Sequence, residues 1–153
     1  MTVITENKKQ LGKMPPQALS LEEAVIGAMM IDRKAIDDCL LILKQDYFYD
    51  KRNQHLFSAI KSLNDSNRPV DLLTVIEKLK ELNKLEFIGG DFRVIELTQK
   101  VASSAHVLEH ARIIIQKYLR REIISMCSSA ISEAFNESID VFDVLDFTGK
   151  SLD

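Results

Sequence analysis

Two short strings in the sequence have the spacing of chemical motifs. His106-Val107-Leu108-Glu109-His110 spells H-x-x-E-H, a pattern in which two histidines one helical turn apart bind zinc while the glutamate serves as general base. A working centre also needs a third ligand, a cleft and donors for an oxyanion, and His55 is the only other histidine. Two histidines at the start of a helix are ordinarily solvated, so a small HxxEH zinc metalloenzyme stands as an alternative reading. Gly149-Lys150-Ser151 looks like the end of a phosphate-binding loop. The full pattern G-x-x-x-x-G-K-[ST], however, requires glycine where Val144 stands, and no strand is expected before it. There is no G-x-S-x-G elbow and no acidic pair at a catalytic spacing. The sequence therefore offers no catalytic, metal or cofactor-binding residues. Lys117, Arg120 and Arg121 form the densest basic group. Such a group is ordinarily a solvated face, but arginine can also anchor an acidic partner.

Composition narrows the classes further. The chain has 153 residues, of which 46% are hydrophobic and 28% charged, enough for one globular domain that buries about two-thirds of its surface. The formal net charge is −3, and no block of like charges supplies the footprint of a protein that grips phosphates. Any contact with DNA is expected to be weak or indirect. Cys39 and Cys127 each sit in an apolar helical pattern and read as reduced core thiols of a cytoplasmic chain. No apolar run is long enough to span a bilayer, and residues 1–14 lack the apolar core of a secretory signal.

The elements follow from periodicity and caps. Residues 1–14 read as a disordered tail, and Pro15-Pro16 sets an extended entry. Ser20 and Glu23 have capping-box spacing, which predicts a helix over about 20–31. Leu21, Ala24, Val25, Ala28 and Met29 line one face, while Ile26, Met30 and Ile31 make the other apolar too. A helix greasy on both sides belongs in the middle of a domain. Gly27 costs it roughly 1 kcal/mol of propensity relative to alanine, which predicts another backbone too close for a Cβ. Asp32, Asp50 and Asp71 are placed to cap three further helices. These bury Ile36, Leu40 and Leu43; Leu56, Phe57, Ile60 and Leu63; and Leu72, Val75, Ile76 and Leu79. A short aromatic turn at Gln45–Tyr49 plugs the core between the first two. Asn83 ends the third, Gly89-Gly90 is a break, and Phe92, Ile95 and Leu97 mark a short helix to about Val101.

From Ser104 to Asn136 there is no glycine or proline, and a helix of that length runs to roughly 50 Å at ~1.5 Å per residue. Its apolar stripe moves: Val107, Ala111, Ile114, Ile115 and Tyr118 define the first half, Ile123, Met126, Cys127, Ala130 and Ala134 the second. The two halves need different partners. Ile113, Ile124, Ile131 and Phe135 form a further apolar line, expected as an oligomer interface on a projecting arm. Asp140 can cap a last helix with Val141, Val144, Leu145 and Leu152 on one side, leaving Phe142 and Phe147 on its flanks. The architecture expected is all-α: a compact helical head over 15–102 around the buried helix, then an antiparallel helical hairpin over 103–153 that leads toward a linker. A monomeric helical adaptor, folding the long helix back on itself, is the other alternative.

Several segments taken together resemble the N-terminal domain of the DnaB-type replicative helicase. They are Leu21-Glu-Glu-Ala-Val-Ile-Gly-Ala-Met-Met, Asp46-Tyr-Phe-Tyr, His55-Leu-Phe-Ser-Ala-Ile, Pro69-Val-Asp-Leu-Leu-Thr-Val, Gly89-Gly90 followed by Leu97, and Ala111-Arg-Ile-Ile with Arg121-Glu-Ile-Ile. They cover about residues 15–135 in order. His110 stands where that family favours tyrosine, and the last helix, with Gly149, is less regular than the family's. The resemblance implies an all-α head and helical hairpin, paired between subunits so that six chains form a collar as a trimer of dimers. It implies that ATP and Mg are handled by a separate C-terminal motor domain outside this chain. It also implies that the collar recruits primase and sometimes a helicase loader, touches DNA only indirectly and has no membrane role. On that basis the fragment is non-catalytic, with Lys117, Arg120, Arg121, Phe142 and Phe147 expected on the partner-binding side.

Overall fold

The computed structural model describes residues 13–101 and 103–152, with the side chain of Leu152 left out. Residues 1–12 lie outside it, and with them most of the expected disordered tail. Every regular element among the described residues is helical. The order is α1 (Leu19–Ile31), α2 (Arg33–Ile42), a 3-10 turn (Gln45–Tyr47), α3 (Lys51–Asp65), α4 (Leu72–Glu81), α5 (Leu85–Ile88), α6 (Gly90–Lys100), α7 (Val107–Phe135) and α8 (Val141–Leu152). The chain divides into two compact units, one spanning Gln17–Tyr118 and the other holding the described residues up to Pro16 together with those from Leu119.

In the first unit α1 is the central element, packed on α2, α3 and α6. Val25, Ile26, Ala28, Met29 and Met30 are all buried, and a large apolar side chain taken fully out of water contributes roughly 1.5–3 kcal/mol. The close approach expected at Gly27 is there: a Cβ built on it would fall onto the Leu97 carbonyl oxygen and Val101 Cγ2 of the α6 segment. Aspartates start the neighbouring helices as their spacing predicts. Asp32 accepts from Lys34 N at 3.0 Å, Asp50 from Arg52 N at 2.9 Å, and Asp71 from Thr74 N at 2.9 Å while the Thr74 hydroxyl accepts from Asp71 N. The predicted faces of α3 and α4 turn inward, with Leu56, Phe57, Ile60, Leu63, Val75 and Leu79 fully buried. Val107, Ala111 and Ile114 of α7 close the same core, and Tyr118 stacks on Tyr47 at 4.5 Å between ring centroids.

Four local expectations are corrected. α1 starts at Leu19 on Ala18, whose carbonyl accepts from Leu21 N and Glu22 N, and no side chain caps it. Glu23 is drawn away from the capping-box role by distant cations, pairing with Arg93 at 2.8 Å and Lys100 at 3.4 Å. Its neighbour Glu22 is buried and ties α1 to the start of α3, accepting from Tyr49 N at 2.8 Å, Asp50 N at 3.3 Å and Asn53 Nδ2 at 3.1 Å. A single turn, α5, occupies the stretch after Asn83 and buries Leu85 and Ile88; Gly89 then turns the chain at φ 111°. Because α6 begins at Gly90, Val94 and Leu97 face the core and Phe92 faces out. Cys39 is buried, and burial pushes its thiol up to about 12, but Cys127 is exposed, because no described helix packs over its face of α7.

Candidate functional site

One motif string lies at the start of α7 and the other at the end of α8. His106 lies exposed in the turn before α7, His110 follows within the helix, and Glu109 approaches Arg112 at 3.7 Å. Among the described residues no three His, Cys, Asp or Glu side chains converge as metal ligands. Gly149, Lys150 and Ser151 lie inside α8, where backbone amides belong to the helix rather than to a loop open to a phosphate.

The unusual surface is in the second unit. α7 continues there without a breaker, and Asn136–Asp140 turns the chain. Ser138 donates through both N and Oγ to Asn136 Oδ1, at 3.2 and 2.6 Å, and Asp140 caps α8 by accepting from Phe142 N at 2.8 Å. Around this turn large apolar side chains stand in solvent. Phe135 is 69% exposed, Phe142 72% and Leu145 62%, with Ile123, Ile124, Ile131, Val141 and Phe147 also exposed. Among the described side chains of α8, Val144 is buried.

Of the residues assigned to an oligomer interface from sequence, Ile124, Ile131 and Phe135 are thus exposed and Ile113 is half-buried. The second-half stripe is only partly covered among the described residues: Ile123, Cys127 and Ala134 are exposed, while Met126 and Ala130 are half-buried. Ile124 and Ile131, with Cys127, instead line a cavity of about 640 Å³ whose other wall is Lys13–Pro16. Arg121 bridges the two walls, donating from Nη1 to the Pro16 carbonyl at 2.8 Å. The basic residues are therefore not equivalent. Arg121 is engaged in holding that segment, whereas Arg120 is exposed with no ion pair among the described residues, and Lys117 is half-buried. Sequence reasoning missed the role of Lys13–Pro16 as a wall, since the Pro15-Pro16 pair signals only an extended backbone.

No helix among the described residues is long and apolar enough to cross a membrane. Residues 14–116 match the family model described as the DnaB-like helicase N terminal domain. The replicative DNA helicase DnaB of Rhodothermus marinus is 46% identical over 138 residues, which are 90% of this chain and 15% of that protein. The replicative DNA helicase DnaB of Treponema pallidum is 33% identical over 141 residues, 92% of this chain and 32% of that one. The chain thus spans less than a third of the length of these relatives. Its fold matches the crystal structure of the N-terminal domain of DnaB helicase from Mycobacterium tuberculosis with a TM-score of 0.84 and 27% identity, covering 91% of this chain and 98% of that one. With sequence and fold agreeing over the same helices, the chain belongs to the DnaB-like helicase N-terminal domain family.

Proposed function

We propose that this domain is the non-catalytic collar of a replicative DNA helicase, pairing with copies of itself and building a hexamer as a trimer of dimers. In this reading ATP and Mg are used by a motor in the part of the relatives that this chain does not span, and the collar also receives primase or a helicase loader. The observation that carries it is the apolar surface of the second unit, with Ile124, Ile131, Phe135 and Phe142 in solvent while the head's core is closed. Covering such side chains yields roughly 25 cal/mol per Å² removed from water, a driving force that a monomer leaves unused. Ile113 extends the same line on α7, and Arg120, Lys117, Phe142 and Phe147 are the groups offered to a primase. Arg121 contributes less to that contact because it is engaged with Pro16. DNA is touched only indirectly, in keeping with the net charge of −3.

Light scattering on the purified domain tests assembly. The parent should run as a dimer or larger, and Ile124→Asp or Ile131→Asp as a smaller species with helical circular dichroism retained, since each puts a charge into a contact that offers no partner. A parent that stays monomeric at high concentration overturns the reading. Recruitment is tested by titrating the helicase-binding domain of a primase against the parent, Phe142→Ala and Arg120→Glu, with thermal melts alongside. Phe142→Ala should melt normally and bind at least about tenfold more weakly, a difference of about 1.4 kcal/mol.

A further inference from the structure

The head carries a second surface, distinct from the exposed apolar side chains of α7 and α8. Phe87, on the single-turn α5, is 52% exposed. The His55 ring of α3 meets it at 5.2 Å and nearly perpendicular, at 89°, and Lys84 Nζ lies over the ring, 5.8 Å from its centroid. Lys51, one helical turn before His55 on α3, is the second cation of the group: burial together with Lys84 and Lys51 holds His55 below its usual range. Neither Lys51 nor Lys84 is ion-paired among the described residues, although Lys78 and Lys80 of the neighbouring α4 both sit on carboxylates.

We propose that this corner of the head, formed by Lys51, His55, Lys84 and Phe87, is a docking site for an acidic protein segment that carries an apolar anchor residue. Charge complementarity selects the occupant. The Lys84 ammonium beside a half-exposed ring, with the Lys51 ammonium one helical turn from His55 and neither on a carboxylate among the described residues, offers what an acidic, apolar-anchored peptide needs: cations for its carboxylates and an apolar contact at the centre. Aromatic residues are favoured among the few that dominate such contacts. A nucleic-acid strand fits less well. An isolated pair of lysines in a chain of net charge −3 does not make the continuous cationic track that a phosphate backbone follows.

The test uses the isotope-labelled domain and a short peptide of Asp and Glu flanking a central Leu-Phe pair. The same peptide with Asn and Gln in place of the acids, and a short oligothymidylate, serve as comparisons. The acidic peptide should bind in a salt-sensitive way and shift the amide resonances of Lys51, His55, Lys84 and Phe87. Phe87→Ser and the Lys51→Glu/Lys84→Glu pair should each weaken it at least about fivefold, about the loss expected of an anchor residue. Both variants alter exposed or half-exposed side chains, and unchanged melts confirm that the fold is kept. Phe142→Ser should leave binding unchanged, which separates this site from the collar contacts. No binding of the acidic peptide, equal binding of its neutral counterpart, tighter binding of the oligonucleotide, or shifts confined to other residues would each overturn the proposal.

Discussion

Replacing Gly27 with alanine sets two effects of known sign against each other. In an open helix the change stabilises by roughly 1 kcal/mol, because alanine is the better helix former. Here the added methyl falls onto the Leu97 carbonyl oxygen and Val101 Cγ2. A side-chain methyl can rotate away, but the carbonyl belongs to α6 and moves only if the helix does. Forcing a methyl into such a site costs typically 1–3 kcal/mol, and Val94 and Leu97 would be lifted from the core with the helix. Because a backbone carbonyl is the obstacle, the cost falls at the upper end of that range, and the net expectation is a loss of about 2 kcal/mol, at about 4 °C in Tm per kcal/mol. Urea titration followed by helical circular dichroism measures it. Val101→Ala removes one of the two obstacles, so the double variant Gly27→Ala/Val101→Ala should lose less than the sum of the singles, a coupling expected for groups in contact. A Gly27→Ala domain as stable as the parent would show that α6 yields freely and would refute the packing argument.

Glu22→Ala strands the amides of Tyr49 and Asp50 and the Asn53 side chain, each costing about 1–3 kcal/mol when buried unpaired. A loss of roughly 3 kcal/mol or more in urea melts is expected, with Glu22→Gln losing less because one acceptor remains; equal stability of all three would contradict the clamp. Asp50 is held below the usual carboxylate range by Arg52, and Glu23 is held there because Arg93 and Lys100 outweigh the opposing effect of burial. Carboxylates depressed in the folded state lend stability that is complete above about pH 5 and lost as pH falls through their folded values. Melting temperature should therefore decline on acidification, and less steeply in Arg93→Met. Thiol titration should find Cys127 reactive in the folded domain and Cys39 only in denaturant, since Cys39 is buried with its thiol pushed up to about 12 and the thiolate is the reactive form. Two fast thiols would refute that assignment.

What the sequence determined is what acts over a turn or two of chain. An aspartate two or three residues before a free amide caps a helix wherever the helix sits, so the starts at Asp32, Asp50, Asp71 and Asp140 were legible. Period-3.6 stripes identified the buried faces of α3 and α4. A glycine inside an otherwise strong helix pointed correctly to a neighbour at Gly27, and the ordered set of short segments pointed to the family. Tertiary structure decided the matters whose partners lie far along the chain. Glu22 and Glu23 are adjacent glutamates, indistinguishable locally. One is buried because amides 27 and 28 residues away arrive at it, and the other faces Arg93, 70 residues on. Phe87 and Phe92 look like core residues by type but face out, because Leu85 and Ile88 take the inner side of α5 and the packing of Val94 and Leu97 fixes the phase of α6. Cys127 looks like a core thiol by pattern but is exposed, since an apolar stripe records that a helix face wants cover and not whether its own chain supplies it.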